Sequence, residues 1–406
     1  MASAEVARPS DWPRVGLLLL CGVFAATQVG KLPPAMTALR EQCGASLVQL
    51  GWIASVINLT AAVVGLAAGL LADRIGRRAV LEFGLWALGA GALLGALGQG
   101  MGLLFASRIV EGLGFVCIVV SAPALMRDAA TPSRLKLALG LWSSYMALGM
   151  TTMLLLAPLL MSTLGWRGGW WVGVLGAAVL LVLAQRLLSR NDGPGAASQT
   201  PAELLRGLRS GTPWLLAGCF TVYTLQWMTM MVWLPTFLQD ELGFGLGRAS
   251  AFVAAVIIVN APGAWLGGWL SGRGVAPALL VLVPGAVMGL AGCAAFVAGS
   301  EPLLRLLLCL VFSFVGGVLP AAIYACLPAV AAPRRNFGSV NGLAVQASNL
   351  GSLLGPPLAA AVVGVVGWHG VGWACLATAA VSALLILCAA RAPELQGQGF
   401  TMASHG

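Results

Sequence analysis

Twelve long apolar stretches fill most of this chain of 406 residues, which is 59% hydrophobic. A helix of about 20 residues crosses a hydrocarbon core of about 30 Å, so each stretch is long enough to span a membrane. Charged residues make up only 9% of the chain, against about 25% in soluble domains. The sequence therefore predicts an all-α membrane protein. We place the spans at 14–38, 47–71, 79–99, 101–125, 137–161, 169–188, 213–238, 249–270, 276–298, 303–327, 338–366 and 372–390.

The positive charges of the chain lie mainly in the loops on one side of these spans. The net charge is +9, but its placement in loops indicates membrane topology rather than nucleic-acid binding. Since lysine and arginine are enriched in cytoplasmic loops, we expect both termini in the cytoplasm. No small-residue cleavage site follows the first apolar run, so we interpret that run as a span and not as a removed signal peptide.

The second span runs into a polar loop with the sequence GLLADRIGRR at residues 69–78. This decapeptide resembles the loop signature of the major facilitator superfamily of secondary transporters, and it lies in the expected place, between the second and third spans. The resemblance implies a gating role for Gly69, Asp73, Arg74, Gly76, Arg77 and Arg78. The alternative, that the charges only set topology, applies better to Arg77 and Arg78 than to Asp73 and Gly76.

An internal repeat with an offset of 202 residues is the second strong signal. The sequence GWRG at 165–168 recurs as GWHG at 367–370, and the same offset maps Asn58 onto Asn260. We predict an N-terminal tail, a six-helix bundle, a linker, a second six-helix bundle and a C-terminal tail, at 1–13, 14–188, 189–212, 213–390 and 391–406. For such parallel repeats the resemblance implies a solute site near mid-membrane between the halves.

Lys31 is a charge near the midplane of the first span. A lysine at that depth costs about 2.5–3.5 kcal/mol unless it meets water or a partner. Pro33 and Pro34 follow and lack backbone N–H groups, so a bend is predicted just before them. Lys31 either binds an anionic group of the substrate, or pairs with Glu111, or extends outward. Its counterpart in the repeat is Trp233, whose ring we expect to face the cation.

Arg108 and Glu111 lie within RIVEGLG, residues 108–114, in the fourth span. Spacing of three residues puts both side chains on one helix face. The segment resembles the superfamily's fourth-span motif, which the family links to ion coupling. Glu111 is the first candidate for a coupling proton, and the alternative is a structural ion pair. Together with Lys31 the three charges sum to +1, which favours a small anion or zwitterion as solute.

Further polar and aromatic residues within the spans are candidates for the solute cavity, with helix packing as the alternative for each. They are Gln28, Asn58, Tyr145, Tyr223, Gln226, Trp227, Trp233, Asn260, Tyr324, Gln346 and Asn349. Most tryptophans lie near span ends and are predicted to form interfacial belts. These include Trp12, Trp52, Trp166, Trp170, Trp171, Trp214, Trp368 and Trp373.

Other function classes fit the sequence less well. A membrane enzyme needs a nucleophile with a base or a metal cluster, and two histidines and one deep carboxylate assemble neither. A sensor normally adds a soluble domain to its membrane helices. The duplication and the gating loop favour alternating access over a passive channel. An ATP-driven pump would need a phosphate-binding loop, and the sequence contains no such motif. We expect no enzyme activity, no cofactor and no metal.

The prediction is a secondary transporter of twelve helices in the bacterial inner membrane, moving a small anionic or polar organic solute by alternating access. Protons are the expected coupling ion, and the expected partners are the solute and the lipid bilayer, with a monomer as the assembly. The alternative is proton-coupled efflux of a drug or a metabolite such as a siderophore. The segment from Gly30 to Arg78 has a distant resemblance to the bacterial cyanate and nitroimidazole permease branch.

Overall fold

The computed structural model describes residues 11–131, 138, 141–142, 144–188, 210–297, 301–330 and 337–392. Almost all of the predicted linker and most of both tails lie outside these residues. Within helices, the side chains of 66–74, 328–329, 337–339 and 341 are likewise not described. Across the described ranges every regular element is a helix and none is a strand, which confirms the predicted all-α class.

The N-terminal part of the chain contributes seven α-helices. They are α1 (Trp12–Gly30), α2 (Leu32–Cys43), α3 (Leu47–Ile75), α4 (Arg77–Leu97), α5 (Met101–Ala129), α6 (Tyr145–Leu164) and α7 (Gly168–Leu187). A short 3₁₀ turn, Gly165–Arg167, joins α6 to α7. The C-terminal part contributes α8 (Thr212–Leu242), α9 (Leu246–Ile258), α10 (Asn260–Gly272), α11 (Pro277–Phe296), α12 (Pro302–Val330), α13 (Phe337–Val366) and α14 (Trp368–Ala390).

By length and composition, 11 helical stretches of the described residues can cross a membrane. One of them, Tyr145–Leu187, consists of the two helices α6 and α7. The first stretch, Trp12–Cys43, combines α1 and α2, and Leu246–Gly272 combines α9 and α10. With the two helices of Tyr145–Leu187 separated, the stretches correspond to the twelve predicted spans.

The chain forms two compact units. The first is drawn from residues 1–31 and 63–198, and the second from 32–62 and 199–406. Helix α2 and the first half of α3 therefore belong to the unit that contains α8 to α14. In the first unit α4 packs along α5 and α1 packs along α6, while in the second α8 packs along α13 and α11 along α14.

Glycines permit the closest helix approaches in both units. A Cβ at Gly149 would lie 2.3 Å from the carbonyl oxygen of Val23, so α6 packs backbone to backbone against α1. In the second unit a Cβ at Gly263 would lie 1.8 Å from the carbonyl oxygen of Phe314, where α10 crosses α12. Small residues at such crossings let membrane helices approach closely enough for extensive van der Waals packing.

Candidate functional site

The first span is interrupted at the lysine that the sequence singles out. Helix α1 ends at Gly30, Lys31 caps it, and α2 begins at Leu32. The Lys31 N–H still donates to the Thr27 carbonyl oxygen at 3.0 Å, so the helical pattern fails only after it. The break lies directly before Pro33 and Pro34, where the lack of proline N–H donors predicts it.

Lys31 is buried and held on three sides within the first unit. Its Nζ forms an ion pair with Glu111 Oε1 and donates to Gln28 Oε1 at 2.9 Å. The same Nζ lies 4.5 Å from the ring centroid of Trp170, a distance at which the π face attracts a cation. Lys31 is 3% exposed. Of the alternatives left open by the sequence, the structure shows the internal pair with Glu111.

Glu111 joins the two cations of the site. Its Oε1 accepts from Lys31, and its Oε2 accepts from Arg108 Nη1 at 2.6 Å. Arg108 Nη1 also donates to the backbone oxygen of Gln28 at 2.7 Å. Arg108 and Glu111 have no exposed surface, so all of these contacts form without competing water. We call Gln28, Lys31, Arg108, Glu111 and Trp170 the charged cluster.

Glycines on the helices around the charged cluster make room for it. A Cβ at Gly91 of α4 would lie 2.7 Å from Glu111 Cγ, and one at Gly173 of α7 would lie 2.7 Å from Gln28 Oε1. A Cβ at Gly169 would lie 3.1 Å from the Lys31 Cβ. Larger residues at these positions would push the carboxylate, the amide or the lysine out of place.

Trp170 was not among the candidates predicted for the solute site. The sequence places it near a span end and predicts a lipid-interface position, but its side chain is fully buried. Trp166 and Trp368 are also buried, whereas Trp12, Trp52, Trp214 and Trp373 are exposed. The belt prediction is therefore wrong for the three buried rings. Proximity to a span end does not reveal which side of the helix faces the protein interior.

Several candidate residues of the second unit have side chains that are at least partly buried, and four of them are Asn58, Trp227, Trp233 and Asn260. Asn58 is 5% exposed, and its amide nitrogen has no hydrogen-bond partner among the described residues. The indole nitrogen of Trp227 likewise finds none there. Asn260 donates to the Ser313 carbonyl oxygen at 2.8 Å, and Trp233 donates to the Pro356 carbonyl oxygen at 2.9 Å. Asn260 and Trp233 thus serve helix packing at least in part.

The remaining candidates differ in exposure and neighbours. Tyr145, in the first unit, stacks on Trp142 with 4.6 Å between ring centroids. In the second unit Tyr324 is 41% exposed and packs edge-on against Phe220. Tyr223 is buried beside Phe220, and Gln226 donates to the Cys375 carbonyl oxygen at 2.7 Å.

The last two candidates lie on α13. Gln346 is exposed, and Asn349 is half-buried and donates to the Val345 carbonyl oxygen at 3.1 Å.

The polar loop after α3 is built as a tight turn. Gly76 has φ of +98°, in the region that favours glycine, and it separates α3 from α4. Arg77 pairs with Asp128 at 3.0 Å, and Arg78 pairs with Glu82 at 2.7 Å. Arg78 also donates to the Leu188 carbonyl oxygen at 2.5 Å, at the end of α7. Gly69, Asp73 and Arg74 lie on α3, and their side chains are outside the described part of the chain.

The family of the chain follows from its sequence as a whole. A model of the Major Facilitator Superfamily matches residues 18–345. The chain belongs to the Major Facilitator Superfamily. A crystal structure of a bacterial homologue of the human lysosomal transporter Spinster, in an inward-facing and occupied conformation, has the same fold, with a TM-score of 0.81. The two share 17% identity over 98% of this chain and 100% of that one.

Relatives within the superfamily are named for different solutes. A Bacillus subtilis protein named for niacin and nicotinamide transport, NiaP, is 24% identical over 302 residues, which are 72% of this chain and 74% of the relative. The hexuronate transporter of the same species is 22% identical over 87% of this chain and 88% of its own. A lincomycin resistance protein of Streptomyces lincolnensis is 29% identical over 50% of this chain and 44% of its own. The family and fold are those of transporters, not of enzymes.

The site can therefore be described as a buried set of charges inside a transporter fold. One carboxylate lies between two cations, and the three formal charges sum to +1. Within the described ranges no group of three or more histidine, cysteine, aspartate or glutamate residues is placed to hold a metal ion. Lys31 and Arg108 are buried cations that share one carboxylate, and such cations form strong hydrogen bonds with anions.

Proposed function

We propose that this protein is a proton-coupled secondary transporter of a small organic carboxylate. Lys31 and Arg108 would bind the solute's carboxylate, and Glu111 would carry the coupling proton. The observation that carries the proposal is the position of Glu111, whose two oxygens each accept from one of the two cations. A solute carboxylate has the same charge and the same pair of acceptor oxygens.

The proposal follows from the charge balance of the buried cluster. With Glu111 ionised the cluster carries +1, and with Glu111 protonated it carries +2. A protonated carboxyl group cannot accept from two cations as a carboxylate does, so protonation weakens both ion pairs. Uncompensated buried charge is costly, which favours entry of an anion. Proton and anion therefore promote each other's binding, as co-transport in one direction requires.

The remaining residues of the proposed site and gate are assigned by chemistry. Asn58 and Trp227 have donors that stay unused within the described structure, and we assign them to hydrogen bonds with the solute. Gln28, Tyr145, Trp233, Asn260, Tyr324, Gln346 and Asn349 complete the candidate cavity. Asp73 and Gly76 would gate it together with Gly69, Arg74, Arg77 and Arg78. The two six-helix halves would expose the site alternately to each side of the membrane.

The proposed location is the bacterial inner membrane, with both termini in the cytoplasm and the protein acting as a monomer. The bias of lysine and arginine toward one set of loops supports this orientation.

Relatives that are named as transporters of metabolites support the proposed solute class. Of two relatives that match most of this chain, one is named for hexuronates and the other for niacin and nicotinamide. Niacin and hexuronates are carboxylates near neutral pH, whereas nicotinamide is a neutral amide.

The test is binding followed by transport with matched acids and amides. Purified protein in detergent is heated with nicotinate, nicotinamide, glucuronate and benzoate, and the melting temperature is recorded. We expect stabilisation by one or more carboxylates, none by nicotinamide, and loss of the effect in Lys31→Met. In proteoliposomes the same carboxylate should acidify the lumen as it enters, and Glu111→Gln should abolish this. Equal stabilisation by nicotinate and nicotinamide would refute a carboxylate site.

Efflux of a drug or metabolite, such as a siderophore, in exchange for protons is the second candidate. The observation in its favour is that several relatives are named for antibiotic resistance, including those for lincomycin and puromycin. Efflux predicts stabilisation by large neutral or cationic compounds, with Lys31→Met unchanged. It also predicts that expression of the protein raises the resistance of a sensitive bacterium. The carboxylate proposal predicts neither result.

A further inference from the structure

Trp170 is the one side chain of the charged cluster that the proposed chemistry does not use. It lies on the first turn of α7, and its ring face is 4.5 Å from Lys31 Nζ. The ring is fully buried, so it offers lipid no surface. It also has no charge and no titratable group. Its relation to Lys31 is therefore that of a π face to a cation in a dry site, where such attraction is strongest.

The orientation of the Trp170 ring is fixed independently of Lys31. The ring nitrogen donates to Ser107 Oγ at 3.3 Å, and Ser107 donates in turn to the Gly91 carbonyl oxygen at 2.8 Å. A Cβ at Gly95 would lie 2.1 Å from the ring, so α4 closely confines one edge of it. Trp166 packs edge-on with centroids 5.3 Å apart. Helices α4 and α5 hold the ring in place.

Four side chains of the charged cluster surround Lys31, and the proposed function assigns the coupling proton to only one of them, Glu111. Glu111 and Arg108, both on α5, are the charged groups that face it within the described cluster. Gln28 on α1 and Trp170 on α7 are uncharged. When Glu111 takes up a proton, the ammonium loses its anionic partner. Gln28 Oε1 and the Trp170 ring then remain as the interactions that favour a charged, fixed lysine.

We propose that Trp170 is a positioning residue that holds the Lys31 ammonium charged and in place while its anionic partner changes from Glu111 to the solute. This inference rests on the proposed function for its consequence in transport, but the contact itself can be tested without any solute. The ring offers no acceptor that competes with an incoming carboxylate. The ammonium can therefore exchange its anion and still keep the contact with Trp170.

The first experiment measures anion affinity in tryptophan variants, with benzoate and glucuronate as probes. Loss of a desolvated cation–π contact is expected to weaken binding about tenfold in Trp170→Leu. Trp170→Phe keeps an aromatic face and should lose less. The matched control is Trp368→Leu, a buried tryptophan of the second unit whose ring packs against Phe237 and Phe296. Binding by Trp170→Leu within about twofold of the unchanged protein would overturn the positioning role.

The second experiment uses fluorine NMR of protein labelled with 5-fluorotryptophan, and it needs no ligand. The Trp170 resonance is identified by its loss in Trp170→Phe. It should shift in Lys31→Met, because the cation leaves the ring, while the Trp166 resonance moves less. In Glu111→Gln, which keeps Lys31, the Trp170 resonance should stay at the position that it has in the unchanged protein. A Trp170 resonance unaffected by Lys31→Met would refute the contact, even if Trp170→Leu proves too unstable to assay.

The two experiments separate the failure of this inference from the failure of the proposed function. If none of the carboxylates binds but the Trp170 resonance responds to Lys31→Met and persists in Glu111→Gln, the proposed solute class is wrong and the positioning contact stands. If carboxylates bind in a Lys31-dependent way but Trp170→Leu binds them normally, the proposed function stands and the role of Trp170 is wrong.

Discussion

At the scale of single residues, the charged cluster is a set of buried ions whose balance depends on Glu111. Burial of charges in a membrane protein is costly, and removing one partner of a buried pair leaves the other uncompensated. The three formal charges are not equivalent in this respect. Without Lys31 the cluster keeps a neutral pair of Arg108 and Glu111. Without the carboxylate it keeps two cations and no anion.

This asymmetry predicts that Glu111→Gln lowers stability more than Lys31→Met. For the glutamine variant we expect a loss on the order of 3–5 kcal/mol, the cost of breaking a buried pair. For the methionine variant, which leaves a neutral pair, we expect a smaller loss or none. The measurement is the midpoint of thermal aggregation in detergent, read by size-exclusion chromatography. A lower midpoint for Lys31→Met than for Glu111→Gln would contradict the charge balance described here.

The charged residues of the cluster could be predicted from the sequence, which left their pairing open as one of several alternatives. Lys31, Arg108 and Glu111 are conspicuous because charges inside spans are rare. Whether Lys31 faces solute or Glu111 depends on how α1 packs on α5, which one sequence does not specify. Trp170 was not predicted as a residue of the site because it lies at a span end, directly after Gly168 and Gly169. That position fits a lipid-facing ring as well as a buried one.

At the scale of helices, the structure contains one break that the prolines predict and a second that the span assignment does not include. The interruption at Lys31 was expected from Pro33 and Pro34. A second interruption at Val259, between α9 and α10, falls inside a span predicted as continuous. Pro262 follows it and removes the donor for the Ile258 carbonyl oxygen. The signal was therefore present, but the span length alone did not suggest a break.

The crossing of α10 and α12 predicts a strong effect of one methyl group. In Gly263→Ala the new Cβ would meet backbone at Phe314 and approach Gly317 Cα at 3.4 Å. Because backbone cannot rotate away, the helices must separate, at a cost of about 1–3 kcal/mol or more. The control is Gly268→Ala on the same helix, where nothing lies within 4 Å. Equal thermal stability of the two variants would show that this crossing tolerates a wider spacing.

At the scale of the whole molecule, the predicted duplication does not extend to the buried charges. The offset of 202 maps Arg108 onto Leu310 and Glu111 onto Ser313, so the charged cluster belongs to the first unit alone. Lys31 maps onto Trp233, which forms an ordinary packing hydrogen bond. Sequence similarity predicts a repeated fold, because apolar spans and glycine positions recur at this offset. It could not show how each unit uses the positions that differ.

The polar loop also belongs to one half, which predicts a kinetic role for Asp73. The superfamily signature implies that this loop sets the rate of exchange between access states, and Gly76, Arg77 and Arg78 already form a fixed turn. Asp73→Asn should then slow turnover about tenfold or more. Anion affinity should change less than about twofold, because Lys31 and Arg108, the residues proposed to bind the solute, lie elsewhere in the sequence. The measurements are initial transport rate in proteoliposomes and binding in detergent.

The control for Asp73→Asn is Glu82→Gln, which also neutralises one acid but removes only a partly exposed pair with Arg78. Such a pair is worth about 0–1 kcal/mol, so turnover should change little. Loss of affinity at unchanged turnover in Asp73→Asn would mean that the loop shapes the binding site rather than the rate at which it opens.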